Sequence, residues 1–290
     1  MAKLRGTQTS VSAELTARHP HRGHGIVHVV LILGSVFMIF PFVWQLFTAF
    51  KSFQDSVQAP PTLLPDPWVF TNFAEVYDTL PFAQMFLNSV TLTVGRTVGQ
   101  VVLCTMAGYA FARIPFPGRN VVFILFLSVL MVPSQLYLLP QFEIIRTLGW
   151  LNTPQALIVP GIFSAFGTFL MRQFFLTMPL DLEEAARIDG ANPWQTFWRI
   201  MLPLARPGVI ALTVFTVLWS WNDLLWPLVV TTEPANMPLS VGLAQLTGLH
   251  GADYPVLMAG ALMATVPMLL VFLVLQRQFI RGIAFSGTKG

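Results

Sequence analysis

The sequence predicts an all-α polytopic membrane protein with six transmembrane helices. Three observations predict it. Of 290 residues, 54% are hydrophobic and only 10% charged, with 25 Phe and 8 Trp. A soluble domain carries about 25% charged residues. A soluble fold of this size could not cover its surface with so few charges. That excludes an ordinary cytosolic enzyme, a disordered protein and a nucleic-acid-binding domain. Second, six stretches reach the length of about 20 mostly apolar residues that crossing a hydrocarbon core of about 30 Å requires. Third, the basic residues segregate by loop. The single cysteine, Cys104, excludes a disulfide scaffold and any multi-Cys metal cluster.

The expected spans are residues 26–50, 86–111, 120–139, 153–171, 207–230 and 255–276. The first is too long for a signal-peptide apolar region and has no small-residue cleavage pattern after it, so it reads as a retained anchor. This organises the chain into an N-terminal tail of residues 1–25, a six-helix membrane domain of 26–276 and a C-terminal tail of 277–290. Six spans put both termini on one side. That side collects Lys3, Arg5, Arg18, Arg22, Arg113, Arg119, Arg172, Arg187, Arg199, Arg206, Arg277, Arg281 and Lys289. The other side has only Lys51 and Arg146. The positive-inside rule places both termini in the cytoplasm.

Three loops are long enough to have roles. The first outer loop, 51–85, holds Pro60, Pro61, Pro65 and Pro67 and then an aromatic-spaced stretch. It is expected to start extended and end as a short helix on the membrane. The third outer loop, 231–254, is polar. The inner loop of 176–206 is the most structured. Asp181 followed by Glu184 resembles a capping box. A helix through Glu184, Ala185, Ala186 and Ile188 should end at Gly190, which tolerates a positive φ. Asn192 suits an N-cap and Pro193 the first helical position of a second helix. That helix carries Trp194, Trp198 and Met201 on one side and ends near Pro203. The two small alanines would let a partner surface approach closely. A plain connecting helix pair accounts for these local features equally well.

The run Glu184-Ala185-Ala186, then Asp189-Gly190, then Ile200-x-Leu202-Pro203 matches the EAA-x3-G-x9-I-x-LP signature of bacterial ABC importer permeases at every fixed position. FGTFLMRQFF before it, WSWNDLLWP after it and the terminal LQRQFIRGIAFSGTKG also resemble the carbohydrate-importer branch. The chain is similar to the maltose-type six-span permease subunit, with a type I importer fold. The resemblance implies that the inner loop is the coupling helix. Glu184, Ala185, Ala186, Asp189, Gly190, Ile200, Leu202 and Pro203 would then couple to an ATPase subunit, Glu184 pairing with a basic or polar group there. It also implies a second permease subunit as heterodimer partner, an ATPase dimer, an extracytoplasmic substrate-binding protein and surrounding membrane lipid. The last ten residues, from Arg281, would be a further ATPase contact.

The chain lacks the motifs of an engine. It has no G-x-x-x-x-G-K-[ST], and its nearest approach, GIAFSGTK, puts Thr before Lys with no strand ahead of it. G-x-S-x-G, H-E-x-x-H and G-x-G-x-x-G are absent too. No cofactor is expected on this chain; ATP and Mg would sit on the partner ATPase. His19, His21 and His24 read as solvated residues beside the membrane rather than a metal tract, since metal sites need a folded shell.

Polar groups inside spans are costly, and they face cavities or partners. Span two carries Arg96 with Gln100 one turn on. Span five carries Trp221, Asn222 and Asp223. These five residues are either a sugar path or helix–helix glue against the second permease. In the maltose-type system the resemblance assigns most sugar contacts to the other permease subunit. At a rise of about 1.5 Å per residue, Arg96 lies about 15 Å and Asp223 about 10 Å below the same face, which predicts that they pair or share a network with Asn222. A membrane enzyme would need a recognisable acid or nucleophile pair. A secondary transporter would show repeat symmetry and paired intramembrane acids. The expected function is the membrane subunit of an ATP-driven sugar importer. The alternative cargo is glycerol-3-phosphate or a related polyol phosphate, which the absence of outer-facing cationic clusters disfavours.

Overall fold

The computed structural model describes residues 24–247 and 253–287. The chain falls into two units, Met1–Leu46 and Phe47–Gly290. Helix α1 (His24–Thr48) is apolar around almost its whole circumference, and every residue from Val27 to Phe42 is exposed. A helix with no polar face suits a lipid environment.

The second unit is built around α4 (Phe82–Arg113). Before it, α2 (Phe53–Val57) and α3 (Asn72–Thr79) fold the first outer loop. The loop therefore opens with a helix, where an extended start was expected. The cause is local: Ser52 Oγ accepts from the Asp55 amide at 3.2 Å, and Lys51 and Asp55 lie 3.9 Å apart, both almost buried. Lys51 Nζ also donates to the carbonyl and hydroxyl of Thr62, closing the proline-rich stretch back on the helix.

Helix α5 (Arg119–Ser128) and a 3₁₀ turn run to Met131. There the chain turns by 94° into a second 3₁₀ turn, Ser134–Tyr137, and α6 (Leu138–Thr147). Expected span three is thus not straight. Pro133 forces its predecessor Val132 out of the helical region, to φ −92° and ψ 118°. Span four is likewise divided, into α7 (Pro154–Ile158) with a 3₁₀ turn to Gly161, and α8 (Ala165–Leu176), bent by 41°. Ser164 restarts it, its Oγ accepting from the Gly167 amide at 3.2 Å.

The inner loop forms α9 (Asp181–Ile188), α10 (Pro193–Thr196), a π turn over Phe197–Met201 and α11 (Leu202–Leu204). Expected span five is α12 (Arg206–Trp221), a break at 222–224, then α13 (Leu225–Val230). Pro227 causes the break: its ring would strike the carbonyl of Asp223 in a continuous helix. The freed Asp223 carbonyl accepts from Ser240 Oγ at 2.7 Å, at the head of α14 (Leu239–Gln245). Last, α15 (Tyr254–Gly287) continues well past Gln276, through residues expected to be a tail.

Among the described residues, three helices are long and apolar enough to cross a membrane alone. Three bent pairs also pass, 119–131 with 134–147, 154–161 with 165–176, and 193–204 with α12 at 74°, and counting each pair as one crossing gives up to six. No strand occurs among the described residues. The N-terminal basic residues, His19, His21, His250 and the last three residues lie outside the described residues, as do the side chains of His24 and 277–287.

Side chains along α4 meet three buried clusters. Phe82 and Met85 pack with Val76, Leu239 and Val256. Leu92 packs with Leu157, Trp226 and Val230. Cys104 and Tyr109 pack with Met171, Phe175, Phe197, Met201 and Leu212. Close approach of α4 to α8 depends on Gly108, where a Cβ would lie 2.7 Å from Met171 Cβ and 2.8 Å from the Arg172 nitrogen.

Candidate functional site

Two places hold the residues singled out by sequence. The first is midway along α4. Arg96 projects where span four breaks, and the fit requires Gly161, whose Cβ would stand 2.6 Å from Arg96 Nε. Arg96 Nε donates to the Leu157 carbonyl at 2.8 Å. Its Nη1 donates to Asp223 Oδ2 at 2.7 Å. The expected pair is present. Its side chains are 9% and 22% exposed, so the carboxylate is the wetter partner. One turn on, Gln100 Nε2 donates to the Gly161 carbonyl at 2.8 Å, and its Oε1 accepts from Thr216 at 3.1 Å. Spans two, four and five are thereby joined by polar contacts at both of their breaks.

Asn222 is not in this network. It is exposed and donates to its own helix at the Leu218 carbonyl, 2.8 Å away. Trp221 also faces elsewhere: its Nε1 donates to the Ala264 carbonyl at 3.1 Å and its ring meets Phe86 edge-on. The aromatic that shares the cleft with the ion pair is Trp219. It is 65% exposed and lies 5.8 Å from Phe166 between ring centroids. The two rings, Arg96, Gln100 and Asp223 line a cleft of about 530 Å³, with Ser134 and Tyr137 on another wall. The sequence reading singled out Trp221, not Trp219. The sharp turn at Pro133, which delivers Ser134 and Tyr137, was hidden by reading residues 120–139 as one span.

This cleft carries one cation and one anion, and they neutralise each other. Its other groups are hydroxyls and aromatic faces, with the Gln100 amide already engaged by Gly161 and Thr216. Such a surface can hydrogen-bond hydroxyls and stack on C–H faces. It offers no uncompensated positive charge to an anion.

The second place is the inner loop. Gly190 has φ +81°, a region where a Cβ is penalised, so the turn requires glycine. Asn192 and Gln195 form a reciprocal capping box, with Asn192 Oδ1 accepting from the Gln195 amide at 2.8 Å and Gln195 Oε1 accepting from the Asn192 amide at 3.0 Å. The expected Asp181 box does not form. The helix starts one residue earlier, with Leu180 at the N-cap and no side-chain cap. Asp181, Glu183 and Glu184 instead lie in the first turn, where the helix dipole favours negative charge.

The loop is divided into an outer and an inner face. Glu184, Ala185, Asp189, Gly190 and Pro203 are exposed, as are Trp194, Trp198 and the 86% exposed Ile188. Ala186 is buried against this chain, so only one of the two alanines can face a partner. Met201 is fully buried, not aligned with the two tryptophans. The π turn accounts for that: it precedes Pro203, which cannot donate to Arg199, and shifts the register by one residue. Ile200 and Leu202 are half-buried against the Tyr109–Phe175–Phe197 cluster.

Sequence reasoning singled out Glu184 and passed over Glu183. Glu183 turns inward, with its Oε1 3.3 Å from Arg113 Nε. Burial pushes its carboxyl above the ordinary value, and the Arg113 and Arg187 guanidiniums pull it partly back.

A family model described as "Binding-protein-dependent transport system inner membrane component" matches residues 101–283. The sn-glycerol-3-phosphate transport system permease protein UgpE of Yersinia pestis is 36% identical over 271 residues, spanning 89% of this chain and 95% of that protein. The diacetylchitobiose uptake system permease protein NgcG of Streptomyces coelicolor is 36% identical, spanning 95% and 92%. The arabinooligosaccharides transport system permease protein AraQ of Halalkalibacterium halodurans is 35% identical, spanning 91% and 98%. Among solved structures, a chain of a bacterial ABC transporter that imports the acidic polysaccharide alginate superposes with a TM-score of 0.77 at 26% identity, covering 89% of this chain and 97% of that one.

Proposed function

The chain belongs to the binding-protein-dependent transport inner membrane components, and from that premise we propose that it passes a neutral sugar or oligosaccharide across the bacterial inner membrane. A binding protein delivers the cargo from outside. A second permease subunit completes the pathway as a heterodimer. A separate ATPase dimer, carrying ATP and Mg, docks on residues 176–206 and on the C-terminal segment. Both termini are cytoplasmic. The chain performs no chemistry of its own.

The observation that carries the cargo assignment is the self-neutralised cleft. Arg96 is spent on Asp223 and on the Leu157 carbonyl. A phosphate entering there would meet a carboxylate and no free cation. A pyranose would meet Trp219, Phe166, Tyr137 and Ser134. The volume, about 530 Å³, lies within the range of about 300–1,000 Å³ that small-molecule sites span. Docking is supported by the exposed Glu184–Ala185 face beside a chain with no phosphate-binding loop.

Glycerol-3-phosphate is the second reading, favoured by the likeness to UgpE. The two readings separate by competition. In proteoliposomes holding the whole complex, unlabelled neutral oligosaccharides should suppress uptake of the labelled cargo found bound to the purified complex, and glycerol-3-phosphate should not. Uptake supported by glycerol-3-phosphate, with no competition from sugars, would overturn the assignment.

A further inference from the structure

We infer that Glu183 and Arg113 form the joint through which the docking loop drives span two, so that two adjacent glutamates divide the work of coupling. The inference rests on the docking role proposed above. Consecutive helical residues point about 100° apart. Glu184 is exposed toward a partner, whereas the Glu183 side chain is 14% exposed and faces Arg113, itself 5% exposed.

Arg113 is the last residue of α4, and its guanidinium ties three elements. Its Nε faces Glu183 at 3.3 Å. Its Nη2 donates to the carbonyls of Phe175 and Met178, at the end of α8. The Phe175 carbonyl, which also accepts from the Met178 amide, belongs to the last turn of α8, and Met178 lies two residues beyond it, so the guanidinium sits at the helix's negative pole. The tie matters because α9 has little else to hold it. At eight residues it is too short to persist alone. Ala186 is its one buried residue. The second half of the loop is held separately, by Phe197 and Met201 in the core.

The contact is suited to a moving joint. Arg113 Nε and Glu183 Oε1 are close but not aligned as a hydrogen bond. An ion pair without that alignment keeps its attraction as the two groups rotate. Beyond the joint the load passes into a rigid rod, since Gly108 seats α4 directly on the α8 backbone. Arg96 is 17 residues back along the same helix, about 25 Å away at a rise of 1.5 Å per residue. A displacement of α9 therefore reaches the Arg96–Asp223 pair through one helix, held at its end by Arg113 and midway by Arg96. Glu183 and Arg113 are positioning residues; neither touches cargo.

The test is a double-mutant cycle on the assembled complex in proteoliposomes, with its ATPase, second permease and binding protein. The readout is cargo moved per ATP hydrolysed, which a loss of assembled protein alone would not change. Glu183→Gln and Arg113→Gln should each keep ATP hydrolysis and lower that ratio by about 2- to 30-fold. The double variant should be no worse than either single. The charge-exchanged pair, Glu183→Arg with Arg113→Glu, should recover part of the ratio. Should Arg113→Gln fail to assemble, Glu183→Gln decides, because it is isosteric and leaves both carbonyl bonds of Arg113 in place. An unchanged ratio in Glu183→Gln, or losses that add in the double variant, would overturn the joint. Glu184→Lys serves as the separate control. It should release the ATPase on purification; retained ATPase with normal uptake would overturn the docking role itself, and the joint with it.

Discussion

Removing one member of the Arg96–Asp223 pair should damage the complex more than removing both. At 2.7 Å and an effective dielectric near 20, the attraction is about 6 kcal/mol before desolvation is subtracted. Desolvation offsets much of that, so the pair itself contributes little net stability. The asymmetry appears when one partner is lost. Asp223→Leu leaves Arg96 buried with only the Leu157 carbonyl, and Arg96→Leu leaves a carboxylate on the cleft wall with no cation beside it. Breaking a buried pair from one side costs about 3–5 kcal/mol. In the double variant neither charge remains, and the coupling energy should be about 2–3 kcal/mol. The assay is denaturant-titrated unfolding of the purified complex in a bilayer mimetic, with all four members of the cycle. Single losses that sum to the double loss within about 0.5 kcal/mol would refute the pairing argument. Uptake adds a second readout: full transport by Asp223→Leu at normal abundance would remove the break in span five from the cargo path.

Three further outcomes follow from the same geometry. Gly190→Pro should abolish transport while leaving membrane insertion intact, because proline holds φ near −65° where the turn has +81°, and it loses the amide bond to the Arg187 carbonyl; uptake by membrane-inserted protein checks this. Gly108→Val should lower the abundance of folded protein severalfold, since its Cβ has backbone rather than a flexible side chain to displace; membrane immunoblotting measures it. Glu183 supplies a pH dependence. Its folded pKa is raised, so the folded loop binds a proton more readily than the unfolded chain, and its stabilising share is full below the ordinary 4.5 and lost as pH rises through the raised value. Protonation also removes the charge facing Arg113. Acidifying the cytoplasmic face toward that window should lower cargo moved per ATP in the wild type and not further in Glu183→Gln.

What could be read from sequence was local or one-dimensional. The Gly190 turn and the Asn192–Pro193 start are decided within a few residues, and the structure has both. The Arg96–Asp223 pair followed from depth alone, because a buried charge must find a partner at its own level. What escaped depends on where helices break. Pro133 and Pro227 each end a helix inside an apolar run that composition cannot divide. Without those breaks Ser134 and Tyr137 stay out of the cleft, and Trp221 looks as well placed as Trp219. The π turn before Pro203 is a one-residue slip that moves Met201 from the tryptophan face into the core. Local physics does not separate Glu183 from Glu184; the signature names only Glu184. Arg113, 70 residues away in the chain, gives Glu183 its inward role.

The central claim is that this chain is a conduit driven from outside itself through its inner loop. The most direct measurement is cargo uptake and phosphate release in proteoliposomes assembled with and without the ATPase subunit. The second permease and the binding protein are present throughout. The account predicts ATP-dependent uptake only in the full assembly, and neither uptake nor phosphate release when the ATPase is left out. Uptake or ATP turnover in the ATPase-free vesicles would contradict it.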